Sequence, residues 1–92
     1  MKTFNDIKWK THQIGKGYIQ GLISLDSGVE LSIVAGKGLY CLPREAGNSH
    51  EDFNKFEVLV INETEQQNHH LLNEPLGWQS RKDINNLIKL HN

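Results

Sequence analysis

Only one cysteine, Cys41, occurs in the 92 residues. No disulfide can therefore close within the chain, and the fold has to rest on burial and hydrogen bonding. Prolines number two and methionines one, so there is neither a polyproline linker nor a methionine-rich adaptable surface. No apolar run approaches the ~20 residues of a bilayer-spanning helix. The first ten residues alternate charge with bulky side chains and lack the apolar centre of a signal peptide; the expectation is a cytoplasmic protein with no membrane partner. Charge of a single sign is missing too: ten Lys/Arg stand against eleven Asp/Glu, for a net charge of −1. That balance argues against affinity for nucleic acid driven by bulk charge, because phosphate neutralisation supplies such affinity.

What is present fits one compact domain spanning 1–92. Hydrophobic residues make up 37% and charged residues 23%, the composition of a globular domain rather than a disordered tail. The charge is unevenly placed. Residues 1–44 carry +3, residues 45–79 carry −6 and residues 80–92 carry +2, a dipolar arrangement that can orient an encounter with a charged partner.

Alternation organises the first half. In 4–12, Ile7 and Trp9 oppose Lys8, Lys10 and His12, the period of a half-buried strand, although a short helix starting at Asn5 is equally compatible. Residues 18–25 place Ile19, Gly21, Ile23 and Leu25 on one face, and residues 29–35 do the same with Val29, Leu31, Ile33 and Ala35. Asp26-Ser27-Gly28 joins the two as a hairpin. After Gly36-Lys37-Gly38 a short strand at 39–42 is expected to end at Pro43. Residues 43–52 form a polar insert, with Ser49 and Asp52 spaced as a weak capping box for a helical turn at 49–54. Residues 56–61 are apolar on both faces, which predicts a central strand covered on each side. Residues 62–69 read as a polar hairpin tip, 70–72 as a short strand and 73–77 as a turn. Ser80 is an N-cap with Asp83 three residues on, followed by Ile84, Leu87 and Ile88 at helical spacing. The fold expected is α+β: a small antiparallel sheet of three to five strands with a C-terminal helix packed on it.

Gly38-Leu39-Tyr40-Cys41-Leu42-Pro43-Arg44-Glu45, then Phe53 and Phe56-Glu57-Val58, then Gly77-Trp78 leading into Ser80-Arg81-Lys82-Asp83-Ile84 follow one another in an order that resembles a group of small phage-encoded accessory proteins. The resemblance covers roughly residues 14–90 and implies a phage origin with no catalytic residues to carry over. Small phage proteins of this kind often act on host proteins, and the anti-CRISPR inhibitors are one such class; placement there is an analogy of size and origin. The function expected on this basis is stoichiometric, non-enzymatic inhibition of a host-defence protein or ribonucleoprotein, most sharply a CRISPR effector prevented from binding nucleic acid, acting without a cofactor in the host cytoplasm.

Within that reading the 43–52 insert is the best partner-binding segment. Arg44 has the fork that pairs bidentately with a carboxylate or phosphate, and Glu45, Glu51 and Asp52, with His50 among them, suit a basic surface. Trp78 and Arg81 are residue types enriched at interface hot spots. The opposing reading has Arg44 and Glu45 pinning their own loop and Trp78 packed beneath the last helix; for Trp78 that is the stronger of the two. Other chemistry finds little support. Gly15-Lys16-Gly17 and Gly36-Lys37-Gly38 lack the spacing and the Ser or Thr of a phosphate loop. None of the five histidines has a second ligand at zincin spacing. Cys41 reads as a small buried hydrophobe, since a nucleophile needs an activated thiolate. Trp9 between Lys8 and Lys10 has the elements of a secondary nucleic-acid contact, a stacking ring with cations, but suits core packing better. A phage structural component, and a small enzyme or ligand binder using Cys41 and histidines, are the alternatives.

Overall fold

The computed structural model describes residues 2–12, 15–47, 49–62, 70–71 and 76–91. A 3₁₀ turn at Phe4–Asp6 precedes strand β1 (Lys8–Thr11), so the first segment combines both expected forms: a helical turn, then a strand. Strands β2 (Ile19–Ser24) and β3 (Val29–Ala35) form the hairpin anticipated around Asp26-Ser27-Gly28, closed by Leu25 N–H donating to the Val29 carbonyl at 2.8 Å. A second 3₁₀ turn at His50–Asp52 leads to β4 (Phe56–Asn62). Two short strands, β5 (His70–Leu71) and β6 (Leu76–Gln79), precede the helix α1 (Arg81–His91).

All pairings are antiparallel, in the order β1-β2-β3-β4-β5, with β6 also paired to β4. Since β3 occupies one side of β4, β5 and β6 share the other, β5 opposite Ile61 and Asn62 and β6 opposite Phe56 and Val58. Among the described residues, six strands thus fill five positions beneath one C-terminal helix: an α+β fold.

Residues paired across an antiparallel ladder point to the same face. Ile19, Ile23, Leu31, Ile33, Ala35, Phe56, Val58 and Val60 therefore share one face, and all are buried with Ile84 and Ile88 of α1. The helix starts on the expected reciprocal cap, Asp83 N–H donating to Ser80 Oγ at 3.1 Å and Ser80 N–H donating to Asp83 Oδ2 at 3.0 Å. No described helix is long and apolar enough to cross a membrane.

Three expectations need correction. The central strand β4 is covered unequally: Phe56, Val58 and Val60 are buried under α1, whereas Glu57, Leu59 and Ile61 on the other face are half-buried beside the buried Ser32 and Val34 of β3, because α1, the one α-helix among the described residues, packs on the first face. Residues 39–42 do not form a strand. They make a tight turn, Leu39 N–H to the Gly36 carbonyl, and then a single bridge between Leu42 and Lys55. Gly77 belongs to β6 rather than to a turn. Of the hairpin tip expected at 62–69, Asn62 ends β4 and the rest lies outside the described residues, as does most of the 73–77 turn.

Candidate functional site: two arginine–aromatic clusters

The residues singled out from sequence separate into two groups. In the first, Trp78 lies where the β4–β6 register shifts between Phe56 and Val58. Its φ is 60°, the left-handed region, which a bulky L-residue adopts only under strain. The shift leaves Trp78 N–H aimed across at the 36–47 segment, where it donates to the Tyr40 carbonyl at 2.9 Å. Tyr40 closes on the same place from above: a side chain at Gly77 would meet its Cβ at 2.8 Å, so only glycine permits the approach. The Tyr40 and Trp78 rings stand 5.8 Å apart at 40°, and the Arg44 guanidinium lies 5.7 Å from each ring centre.

This cluster is open to solvent. Tyr40 is 52% exposed, Leu42 45% and Trp78 43%, three of the four exposed large hydrophobic side chains among the described residues. The stronger expectation for Trp78, packing beneath the final helix, is therefore overturned: the bulge turns its ring outward. Arg44 is also exposed, but its Nε and Nη2 donate to the carbonyls of Leu39 and Gly38, each at 3.0 Å. The fork expected to grip a carboxylate or phosphate is spent on the turn beside it. Arg44 thus pins its loop and also carries the two rings.

In the second group, Arg81 lies 5.7 Å from the centre of Phe4 and 5.3 Å from that of Phe56, and its Nη2 donates to the His50 carbonyl at 2.8 Å. The His50 ring stacks on Trp9 at 4.8 Å and 19°, with Phe4 edge-on to it. Trp9 itself lies across Gly21 and packs against the core, as its core reading required. Phe4 and Phe56 are buried, and His50 Nδ1 is shut from solvent. Arg81 and His50 thus tie the first and second 3₁₀ turns to the start of α1.

The acidic residues of the insert divide similarly. Glu45, Glu51 and Asp52 are exposed, but Asp52 Oδ2 accepts from Ser49 N–H at 3.1 Å, completing the cap of its turn. Cys41 is fully buried: its thiol faces the Gly36 and Pro43 carbonyls, both at 3.3 Å, and burial pushes its pKa up. That environment disfavours a thiolate. Among the described residues, no three His, Cys, Asp or Glu side chains converge as a metal site.

Sequence reasoning passed over Tyr40. It took the tyrosine for a strand residue, and the signal that bore on it was Gly77-Trp78, a glycine that admits a close neighbour beside a large aromatic. Comparison of the chain with protein-family models, curated proteins and solved structures returns no match. What fold and geometry define is a small α+β domain with an exposed aromatic–arginine surface.

Proposed function

We propose that the protein is a non-enzymatic binding protein whose partner seats on Tyr40, Leu42, Arg44 and Trp78, with the exposed Glu45 of the same segment at the rim. The observation that carries this reading is Trp78. Backbone strain and solvent exposure of a large ring both cost stability, and their coincidence at one residue marks a place kept for contact rather than for folding. Tryptophan, tyrosine and arginine are the residue types that dominate interface energetics. The partner class is taken from the resemblance of the motif order to small phage proteins: a host-defence protein or ribonucleoprotein, inhibited stoichiometrically, with a CRISPR effector losing access to nucleic acid as the sharpest form.

Affinity capture from bacterial host lysate, followed by titration against the captured protein, tests this. Trp78→Gly removes the ring while suiting the left-handed backbone, so the fold persists; partner affinity is expected to fall at least tenfold, the loss of one hot-spot residue. Unchanged affinity in Trp78→Gly, or inhibition at far below one copy per target, rejects the proposal.

A further inference from the structure

A substantial concavity lies away from the aromatic cluster. It is a groove of about 690 Å³ between the first 3₁₀ turn and α1. Arg81, Lys82 and Lys89 line it, and none of its described lining residues is acidic. Asn85 and Asn86 stand between these cations on the same helical face, four residues after Arg81 and Lys82. The Asn85 carbonyl oxygen accepts from Phe4 N–H at 2.8 Å, which leaves its NH₂ group as a donor. Two carboxylates border it without lining it: Asp6 accepts from Thr3 N–H and Asp83 from Ser80 N–H, and Lys82 acts on Asp83, so the net positive charge of the groove rests on Arg81 and Lys89. The groove thus offers donors and positive charge together.

We infer that this groove binds the sugar–phosphate backbone of a nucleic acid. Its chemistry selects that occupant over two others. A membrane-surface helix needs a free apolar face, whereas α1 spends Ile84 and Ile88 on the core. An acidic protein partner needs a desolvated apolar anchor at the centre of its interface, and the one large ring here, Phe4, is 7% exposed. Arginine, lysine and asparagine side chains, by contrast, supply most contacts to phosphate and sugar. Lys82 and Lys89 lie about 10 Å apart along the helix axis, the rise of about three nucleotides in one strand of a duplex. This inference rests on α1 and the N-terminal turn alone and stands independently of the aromatic surface.

Fluorescence anisotropy of the full chain with a labelled duplex of about 20 base pairs, titrated over salt, tests it. Binding is expected to weaken as salt rises. Lys82→Ala/Lys89→Ala, two exposed positions where alanine favours helix, should cost at least tenfold in affinity at low salt and flatten the slope of log K against log salt by about two. Circular dichroism should show the helix intact. Lys8→Ala/Lys10→Ala on β1 serves as comparator and should cost less than about threefold, since it lies outside the groove. The absence of salt-sensitive binding overturns the inference, as does an equal loss in both double variants. Binding of polyglutamate or of anionic vesicles as tight as that of the duplex assigns the groove to a different partner and overturns it equally.

Discussion

Two arginines in this protein each sit over two aromatic rings at similar distances, and they do different work. Arg44 lies over Tyr40 and Trp78, which are half-exposed; Arg81 lies over Phe4 and Phe56, which are buried. Arg81 also reaches 31 residues back to the His50 carbonyl, joining elements distant in the chain. Arg44 reaches five and six residues back, to carbonyls of its own turn. The chemistry of the pair is the same in both. What decides between scaffold and surface is whether the rings belong to the packed face of the sheet or to the bulged edge beyond it.

The contrast can be broken most forcefully at Phe56, which contacts Phe4, Trp9 and Phe53 as well as Arg81. Phe56→Ala should lower stability by about 3–5 kcal/mol in urea unfolding, or prevent folding of so small a domain. A loss under about 1 kcal/mol would show that this cluster is not the scaffold. Next comes the direct comparison of the arginines. Arg81→Gln should cost about 1–2 kcal/mol, for a charge-assisted hydrogen bond and a partly desolvated cation–ring contact, while Arg44→Gln should cost under about 1 kcal/mol at its exposed site. Equal losses would erase the distinction.

Trp78 sharpens it further. At an ordinary strand position alanine is more stable than glycine; here Trp78→Gly should exceed Trp78→Ala by about 1 kcal/mol in thermal or chemical unfolding, because the left-handed backbone favours glycine. The usual order, alanine ahead, would remove the strain on which the binding proposal stands. The smallest effect concerns the helix start that holds Arg81. The Ser80 N–H and then the Ser80 side chain, with smaller help from Lys55 and Lys82, hold the Asp83 pKa below the ordinary carboxylate value. A lowered folded-state pKa contributes stability above the unfolded-state value and loses it as pH falls through the folded one. Melting of wild type and Asp83→Asn should therefore differ at neutral pH and converge toward about pH 2; a constant gap across that range would mean that the carboxylate charge is not involved.

Much of the scaffold was legible in the residues. Alternation at 18–25 and 29–35, the Asp26-Ser27-Gly28 turn and the Ser80–Asp83 cap are local codes, and each appears where the pattern placed it. The site was legible in part. Arg44, Trp78, His50 and Arg81 stood out by residue type, yet type alone joined them into one surface that folding divides in two. Tyr40 was missed and Trp78 misplaced for one reason: both depend on the register shift in the β4–β6 ladder, a property of strands brought together rather than of either strand.

By itself the sequence determined the β2–β3 hairpin, its core face and the helix start, because backbone sterics, side-chain period and capping act over a few residues. Only the tertiary structure decided which aromatic rings are buried, where Arg44 spends its hydrogen bonds and that Trp78 faces outward. The burial of the rings and the outward turn of Trp78 depend on contacts between segments tens of residues apart, and no local pattern encodes the register in which such segments meet; the Arg44 bonds are short-range but need the turn at 36–39 in place of the expected strand.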